Sequence, residues 1–250
     1  MTRRRFYAPP EAFSVDRKSA TLSAEETRHL RNVLRLKAGA EIFVFDGAGR
    51  EFRCQVQTIA RDATDVKVTE QVVAAQPESS LNLTLAVALL KGEKFDLVIQ
   101  KATELGVTRI VPVIASRADV KLSSEKDSER KMVRWQRIAL EATKQCGRAA
   151  LTTIERPATF ERLIESSHKN SLIFAEREGN SLATTLGEIQ MSGATVTAVV
   201  GPEGGWNDDE IEQARNAGWQ IVTLGGRILR AETAAIVIAT LLQHRLGDLK

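Results

Sequence analysis

The sequence predicts an α/β chain in two parts. Residues 1–75 read as a small β-barrel-like module, and residues 76–250 as a mainly parallel sheet interleaved with helices. Three features carry this expectation. Beyond residue 80, short apolar runs alternate with amphipathic stretches of helical period. Before residue 75, apolar residues recur with period two in several short segments around a turn. Between the two parts, Gln76-Pro77-Glu78-Ser79-Ser80 is a polar breaker suited to a linker.

In the first part, Ser23-Ala24-Glu25-Glu26 has the form of a capping box, with Ser at N-cap and Glu at N3. The helix it opens is expected to run to about Leu36, with Leu30, Val33 and Leu34 on its apolar face. Arg28, Arg31 and Arg35 follow at three- and four-residue spacing on another face, with His29 read as part of the basic side. After Gly39 the period becomes two. Residues 42–45 form a strand, Asp46-Gly47-Ala48-Gly49 a turn, 51–56 the returning strand and 66–73 another.

In the second part, 83–90 is a buried-type strand and 93–105 an amphipathic helix closed by Gly106. Residues 109–115 form a strand and 127–146 a long helix. A helix near 160–166 precedes a strand at 172–175, and Thr195–Val200 is the next strand. Asn207-Asp208-Asp209-Glu210 caps a helix that Gly218 ends; 220–224 is the last strand and 231–246 the last helix.

Composition narrows the function classes. The chain has 250 residues, of which 43% are hydrophobic and 27% charged, an ordinary globular balance. No apolar run approaches the roughly 18–20 residues needed to cross a bilayer, and the basic start Arg3-Arg4-Arg5 has no apolar stretch behind it. Two distant cysteines, Cys54 and Cys146, disfavour a disulfide framework or a Cys-based metal site, and three scattered histidines, His29, His168 and His244, offer no ligand spacing. A cytoplasmic protein without metal or membrane is expected. The net charge is only +3, yet residues 1–37 hold nine Lys and Arg against four Asp and Glu. Such a local excess suits a phosphate-binding face or a solvated surface.

Two loops stand out at expected C-terminal ends of parallel strands, where α/β sheets bind ligands. One is Gly201-Pro202-Glu203-Gly204-Gly205-Trp206. The other runs from Leu224 through Gly225, Gly226, Arg227, Ile228, Leu229, Arg230, Ala231 and Glu232 to Thr233 and Ala234. Glycines there let backbone N–H groups approach a ligand, or simply make tight turns. Neither loop is a P-loop or a dinucleotide fingerprint, and no GxSxG elbow exists. The result is a glycine-lined pocket edged by Arg227, Arg230, Glu203 and Glu232.

These residues carry a resemblance. GPEGGW before NDDEIEQA, and LGGRILRAETAA before a C-terminal helix, look like the signature of the SPOUT-class RNA methyltransferases. More specifically the chain resembles the bacterial 16S ribosomal RNA uridine-N3 methyltransferase family. It does so over nearly its whole length, including Arg4-Arg5-Phe6, the His29–Leu36 stretch, Val44-Phe45-Asp46-Gly47, Lys101–Val107 and Arg134–Ile138. Two positions depart from the pattern. Ala231 stands where a hydroxyl residue is expected between Arg and Glu, and Gly226 stands where proline is common.

The resemblance implies a PUA-like N-terminal barrel (1–75) and a SPOUT domain (76–250) whose C-terminus forms a trefoil knot, a rare exception to chain topology. It implies a homodimer, S-adenosylmethionine as cofactor, and 16S rRNA in the small ribosomal subunit as partner. The donor would lie against Phe174, Ala175, Val200, Gly201, Glu203, Gly204, Leu224, Gly225, Ile228, Leu229, Arg230 and Thr233. Arg3, Arg4, Arg5, Arg28, Arg31 and Arg35 would hold RNA phosphates, with Lys91 and Arg117 extending the track.

Methylation at N3 needs an oriented donor, a route for the imide proton and stabilisation of the uridine anion. Arg230 stays protonated, so it would stabilise the anion or hold a phosphate. Glu232 is the candidate base or an orienter of Arg230, unless the two form a structural ion pair; Glu203 holds the loop's shape or touches the donor. The alternatives are another SPOUT enzyme, such as a tRNA ribose 2′-O-methyltransferase, and a non-catalytic RNA-binding assembly protein. A phosphate-ester enzyme is a weaker one, because no P-loop lysine or magnesium site is present.

Overall fold

In the computed structural model, residues 3–118, 120, 124–166, 170–176, 178–187, 189 and 193–250 are described. His168 lies outside them. The chain divides into two units: 1–78 with 143–151, and 79–142 with 152–250.

The N-terminal unit is a five-stranded curled sheet. Its strands are β1 (Arg5–Tyr7), β2 (Ser19–Leu22), β3 (Glu41–Phe45), β4 (Glu51–Ile59) and β5 (Thr64–Val72), in the order β1-β3-β4-β5-β2. β1 pairs β3 in parallel and the remaining pairs are antiparallel. Two register shifts in the β4–β5 pair, at Arg53/Cys54 and Val56/Thr58, bend the sheet. The inward residues Phe6, Leu22, Ile42, Val44, Phe52, Cys54, Val56 and Val66 close on Leu30 to form the core. In the turn after β3, Asp46 Oδ1 accepts from the N–H groups of Ala48 and Arg50, and Gly47 and Gly49 take positive φ.

The first helix is shorter than its pattern suggests. α1 (Ala24–Arg28) gives way to one π-helical turn over His29–Val33, and Arg35 has φ 51°. The wider turn rotates the later residues out of register. Only Leu30 of the expected apolar face is buried, while Val33 and Leu34 are exposed. Arg35, in a left-handed turn beyond the helix, does not share a helical face with Arg28 and Arg31. His29 is half-buried, edge-on to Phe6, rather than part of a basic face. The cap itself forms, Ser23 Oγ accepting from Glu26 N–H, and Glu26 pairs with Lys144 at 2.7 Å.

The larger unit holds an all-parallel sheet. Its strands are β6 (Asn82–Ala88), β7 (Arg109–Ile114), β8 (Thr153–Ile154), β9 (Ala158–Thr159), β10 (Ser171–Phe174), β11 (Asn180–Ser181), β12 (Thr195–Val200) and β13 (Gln220–Thr223). The order among the described residues is β11-β13-β10-β12-β6-β7-β8, with β9 also on β7. The helices are α2 (Lys94–Glu104), α3 (Glu125–Cys146), α4 (Phe160–Glu165), α5 (Leu182–Gly187), α6 (Asp208–Asn216) and α7 (Ala231–Leu246). The last turn of α3, from Thr143, groups with the N-terminal unit.

Alternation along the strands divides the core between the two faces of the sheet. Leu83, Leu85 and Val87 meet Phe95 and Ile99 of α2, Trp135 and Ala139 of α3, and Ala235, Ile238 and Leu242 of α7. On the other face, Ala86, Val113, Ile173 and Val199 meet Phe160 and Leu163 of α4, Ala214 of α6 and Trp219. Burial on both faces explains why these strands read as continuous apolar runs.

Candidate active site

Because β13, β10, β12 and β6 are adjacent and parallel, their C-terminal ends open on one edge. The segments leaving β10, β12 and β13 wall a cavity of about 320 Å³ there. Its lining combines Phe174, Ala175 and Glu176 after β10; Val200, Gly201, Pro202, Glu203 and Gly205 after β12; Thr223 through Arg230 after β13; and Ala231, Ala234 and Ile238 from α7.

Each wall is fixed locally. Trp206 Nε1–H donates to the Phe174 carbonyl at 2.9 Å, tying the β12 loop to the end of β10, and its ring packs at a tilt against Phe160. A Cβ on Gly201 would lie 3.0 Å from that indole. The loop ends in the expected capping box: Asn207 Oδ1 accepts from Glu210 N–H, and Glu210 Oε2 accepts from Asn207 N–H. The other Glu210 oxygen accepts from Ser116. We predict that Trp206→Phe, which keeps the ring but leaves the Phe174 carbonyl without its donor, costs about 1–3 kcal/mol in urea denaturation and weakens ligand binding at the cavity.

Ten of the twelve residues expected at the donor site line the cavity: Phe174, Ala175, Val200, Gly201, Glu203, Leu224, Gly225, Ile228, Leu229 and Arg230. Two do not. Gly204 packs against Arg117, where a Cβ would meet the Arg117 carbonyl at 3.2 Å, so its missing side chain serves loop packing. Arg117 in turn donates to the Gly204 and Trp206 carbonyls, which makes it a holder of this loop. Thr233 is exposed on the outer side of the first turn of α7.

Gly225 and Gly226 have φ of 67° and 68°. Proline fixes φ near −65°, so the departure at Gly226 gives this loop a path that proline could not follow. Ala231, the other departure, is buried as the first residue of α7 and puts a methyl on the wall. Arg230, the N-cap, is exposed and makes no ion pair among the described residues. The Arg230–Glu232 ion pair is therefore not formed. Glu232 stands off the wall with a side chain 12% exposed, 3.9 Å from Lys94 Nζ.

Lys94 also bonds Glu203 at 2.9 Å, and that hydrogen bond raises its pKa above the ordinary lysine value. Sequence reading missed Lys94 and the wall residues Glu176, Thr223 and Ile238. Lys94 was findable from its place just beyond the end of β6; Glu176 has no local signal.

The basic residues of the N-terminal unit separate sharply. Arg4, Arg28, Arg31 and Arg35 are exposed. Arg5 is not available to RNA, a correction to the expected track. Its side chain is 7% exposed, bonds Glu51 at 3.1 Å, donates to the Thr143, Lys144 and Arg148 carbonyls and lies over Phe45. Arg3 is half engaged, through the Val73 carbonyl and Glu51. Lys91 is exposed in the larger unit.

Residues 77–243 match the family model described as an RNA methyltransferase domain. The chain belongs to the RNA methyltransferase family. Residues 22–69 match the model of an RNA methyltransferase PUA domain. A Synechocystis protein named Ribosomal RNA small subunit methyltransferase E is 36% identical over 222 residues, 88% of this chain and 71% of that protein. The structure of a Ribosomal RNA small subunit methyltransferase E from Neisseria gonorrhoeae bound to S-adenosylmethionine has a TM-score of 0.87 at 32% identity. A Legionella pneumophila methyltransferase in complex with the same cofactor scores 0.88 at 31%, and both alignments cover 100% of each chain. The family resemblance read from the two glycine-rich loops is thereby established. Among the described residues of this RNA methyltransferase, no cluster of metal-ligating side chains occurs, and no helix is long and apolar enough to cross a membrane.

Proposed function

We propose that this protein transfers the methyl group of S-adenosylmethionine to N3 of a uridine in the 16S rRNA of the small ribosomal subunit. The observation that carries this reading is the cavity itself. It is walled by both glycine-rich loops at adjacent strand ends, with Arg230 on its rim and Glu232 two residues on. Two relatives of the same fold hold S-adenosylmethionine.

The residues present fit that cofactor. The volume falls in the range of small-molecule sites, about 300–1,000 Å³. Phe174, Val200, Leu224, Leu229 and Ile238 give apolar surface for a purine and a methylene chain, and the glycine-rich loops give close backbone approach. When bound, S-adenosylmethionine would supply a sulfonium-activated methyl carbon whose leaving group is a neutral thioether.

The chain's own residues supply the rest. N3 lies on the Watson–Crick edge, so the base must be unpaired or flipped to reach the site. Glu232 accepts the imide proton and returns it to solvent after transfer. Arg230, always charged, stabilises the anion spread over O2 and O4. Incubating small subunits that lack the modification with labelled S-adenosylmethionine tests the reading: label enters the 16S RNA only when the protein is present.

We read residues 1–75 as a PUA-like RNA-binding barrel and 76–250 as a SPOUT domain with a C-terminal trefoil knot, acting as a cytoplasmic homodimer. The family-model matches and the full-length likeness to the two cofactor-bound structures support the division. Arg4, Arg28, Arg31 and Arg35, with Lys91, are its exposed phosphate contacts. Binding to an rRNA fragment should weaken with salt, and Arg31→Ala should lower the slope of log K against log salt by about 0.7–0.9. A filter-binding salt series measures it.

A further inference from the structure

Three segments meet beside the cavity: the start of α2, the loop after β12 and the first turn of α7. Lys94 lies between them, with Nζ 2.9 Å from Glu203 Oε1 and 3.9 Å from Glu232 Oε2. Glu203 lines the cavity. Glu232 Oε2 is closed to solvent and receives no hydrogen bond. A buried carboxylate oxygen without a donor is unfavourable, and here an ammonium waits just outside bonding range of it.

We infer that Lys94 is a positioning residue for methyl transfer: it links the donor-site carboxylate Glu203 to the proton acceptor Glu232 and holds Glu232 in place. This rests on the reading of Glu232 as the acceptor of the N3 proton. The charged groups acting on Lys94 are Glu203, Glu232 and Arg230. Arg230 opposes its charge, but the two carboxylates outweigh that, so the ammonium persists through neutral pH. Lys94 also connects the two roles. Whatever engages Glu203 from the cavity competes with the ammonium for that carboxylate and so frees the ammonium to close on Glu232. An ordinary partly exposed ion pair would do none of this.

The test uses Lys94→Met, which keeps the stem and removes the charge, and Lys94→Arg, which keeps the charge. In Lys94→Met kcat should fall about tenfold through the misplaced Glu232 carboxylate, while KM for the donor changes much less. Lys94→Arg should restore most of kcat. Independently of activity, the carbon-13 resonance of the Glu232 carboxyl, assigned by its loss in Glu232→Gln, should move in Lys94→Met protein without donor or RNA. Should Lys94→Met not fold, Lys94→Gln makes the same comparison. An unchanged kcat and an unmoved carboxyl resonance in the folded variant, with wild-type transfer intact, overturn the inference about Lys94. Absence of transfer by the wild type overturns the proposed function instead.

Discussion

Replacing Glu232 with Gln is expected to lower kcat for methyl transfer by about 10²- to 10⁴-fold, the range for losing a positioned general base. Donor affinity should stay nearly unchanged. The reason is positional: Glu232 stands off the cavity wall, so it contributes little to holding a ligand there. Arg230→Ala should also reduce kcat, by about 10²–10³-fold, through lost stabilisation of the uridine anion. Because Arg230 and Glu232 share no ion pair, the two losses have separate origins. Calorimetry of donor binding beside single-turnover kinetics separates them from a collapsed site. A drop in affinity matching the drop in kcat would mean that Glu232 holds the cavity's shape instead.

The second large effect lies in the N-terminal unit. Arg5→Ala should destabilise it by about 3–5 kcal/mol, because it leaves the fully buried Glu51 carboxylate with only the more exposed Arg3 as a cation. Three backbone carbonyls, of Thr143, Lys144 and Arg148, lose a donor in the same step. Arg5→Met with Glu51→Leu should recover part of this, since replacing both members removes the uncompensated charge. Arg4→Ala, one position away and exposed, should leave stability within about 0.5 kcal/mol while weakening RNA binding. Urea denaturation distinguishes the pair. Equal stability of the two single variants would return Arg5 to the expected RNA track.

The contrast between Arg4 and Arg5 shows what a sequence conveys and what it withholds. Charge density marks the segment as basic, but not which arginine the sheet turns inward. Period-two logic makes Phe6 and Arg5 neighbours on opposite faces, yet the acceptors of Arg5 come from Glu51 and from residues more than 130 positions away. The parallel sheet was legible because both its faces are buried, which leaves unbroken apolar runs such as Leu85 to Leu90. The glycine-rich loops were legible for the complementary reason: glycine is needed where φ is positive, as at Gly225 and Gly226. Within one loop the signal fails. Gly205 (φ 68°) lines the cavity, while Gly204 serves packing on Arg117, and the two are identical letters side by side. The π-helical turn at His29–Val33 leaves no trace in residue type, so the expected helix ran too far and placed Val33 and Leu34 inside. Lys94 went unseen because its partners, Glu203 and Glu232, are brought to it only by the crossover connections of the sheet.

The most direct test of the account is the identity of the product. Small ribosomal subunits lacking the modification are incubated with this protein and S-adenosylmethionine carrying a deuterated methyl group. The 16S RNA is then digested and its nucleosides are resolved by mass spectrometry. The account predicts deuterated 3-methyluridine, lost in Glu232→Gln and in Arg230→Ala. Deuterium on a ribose oxygen or on another base, or no transfer by protein that binds the donor and is offered intact subunits, would contradict it.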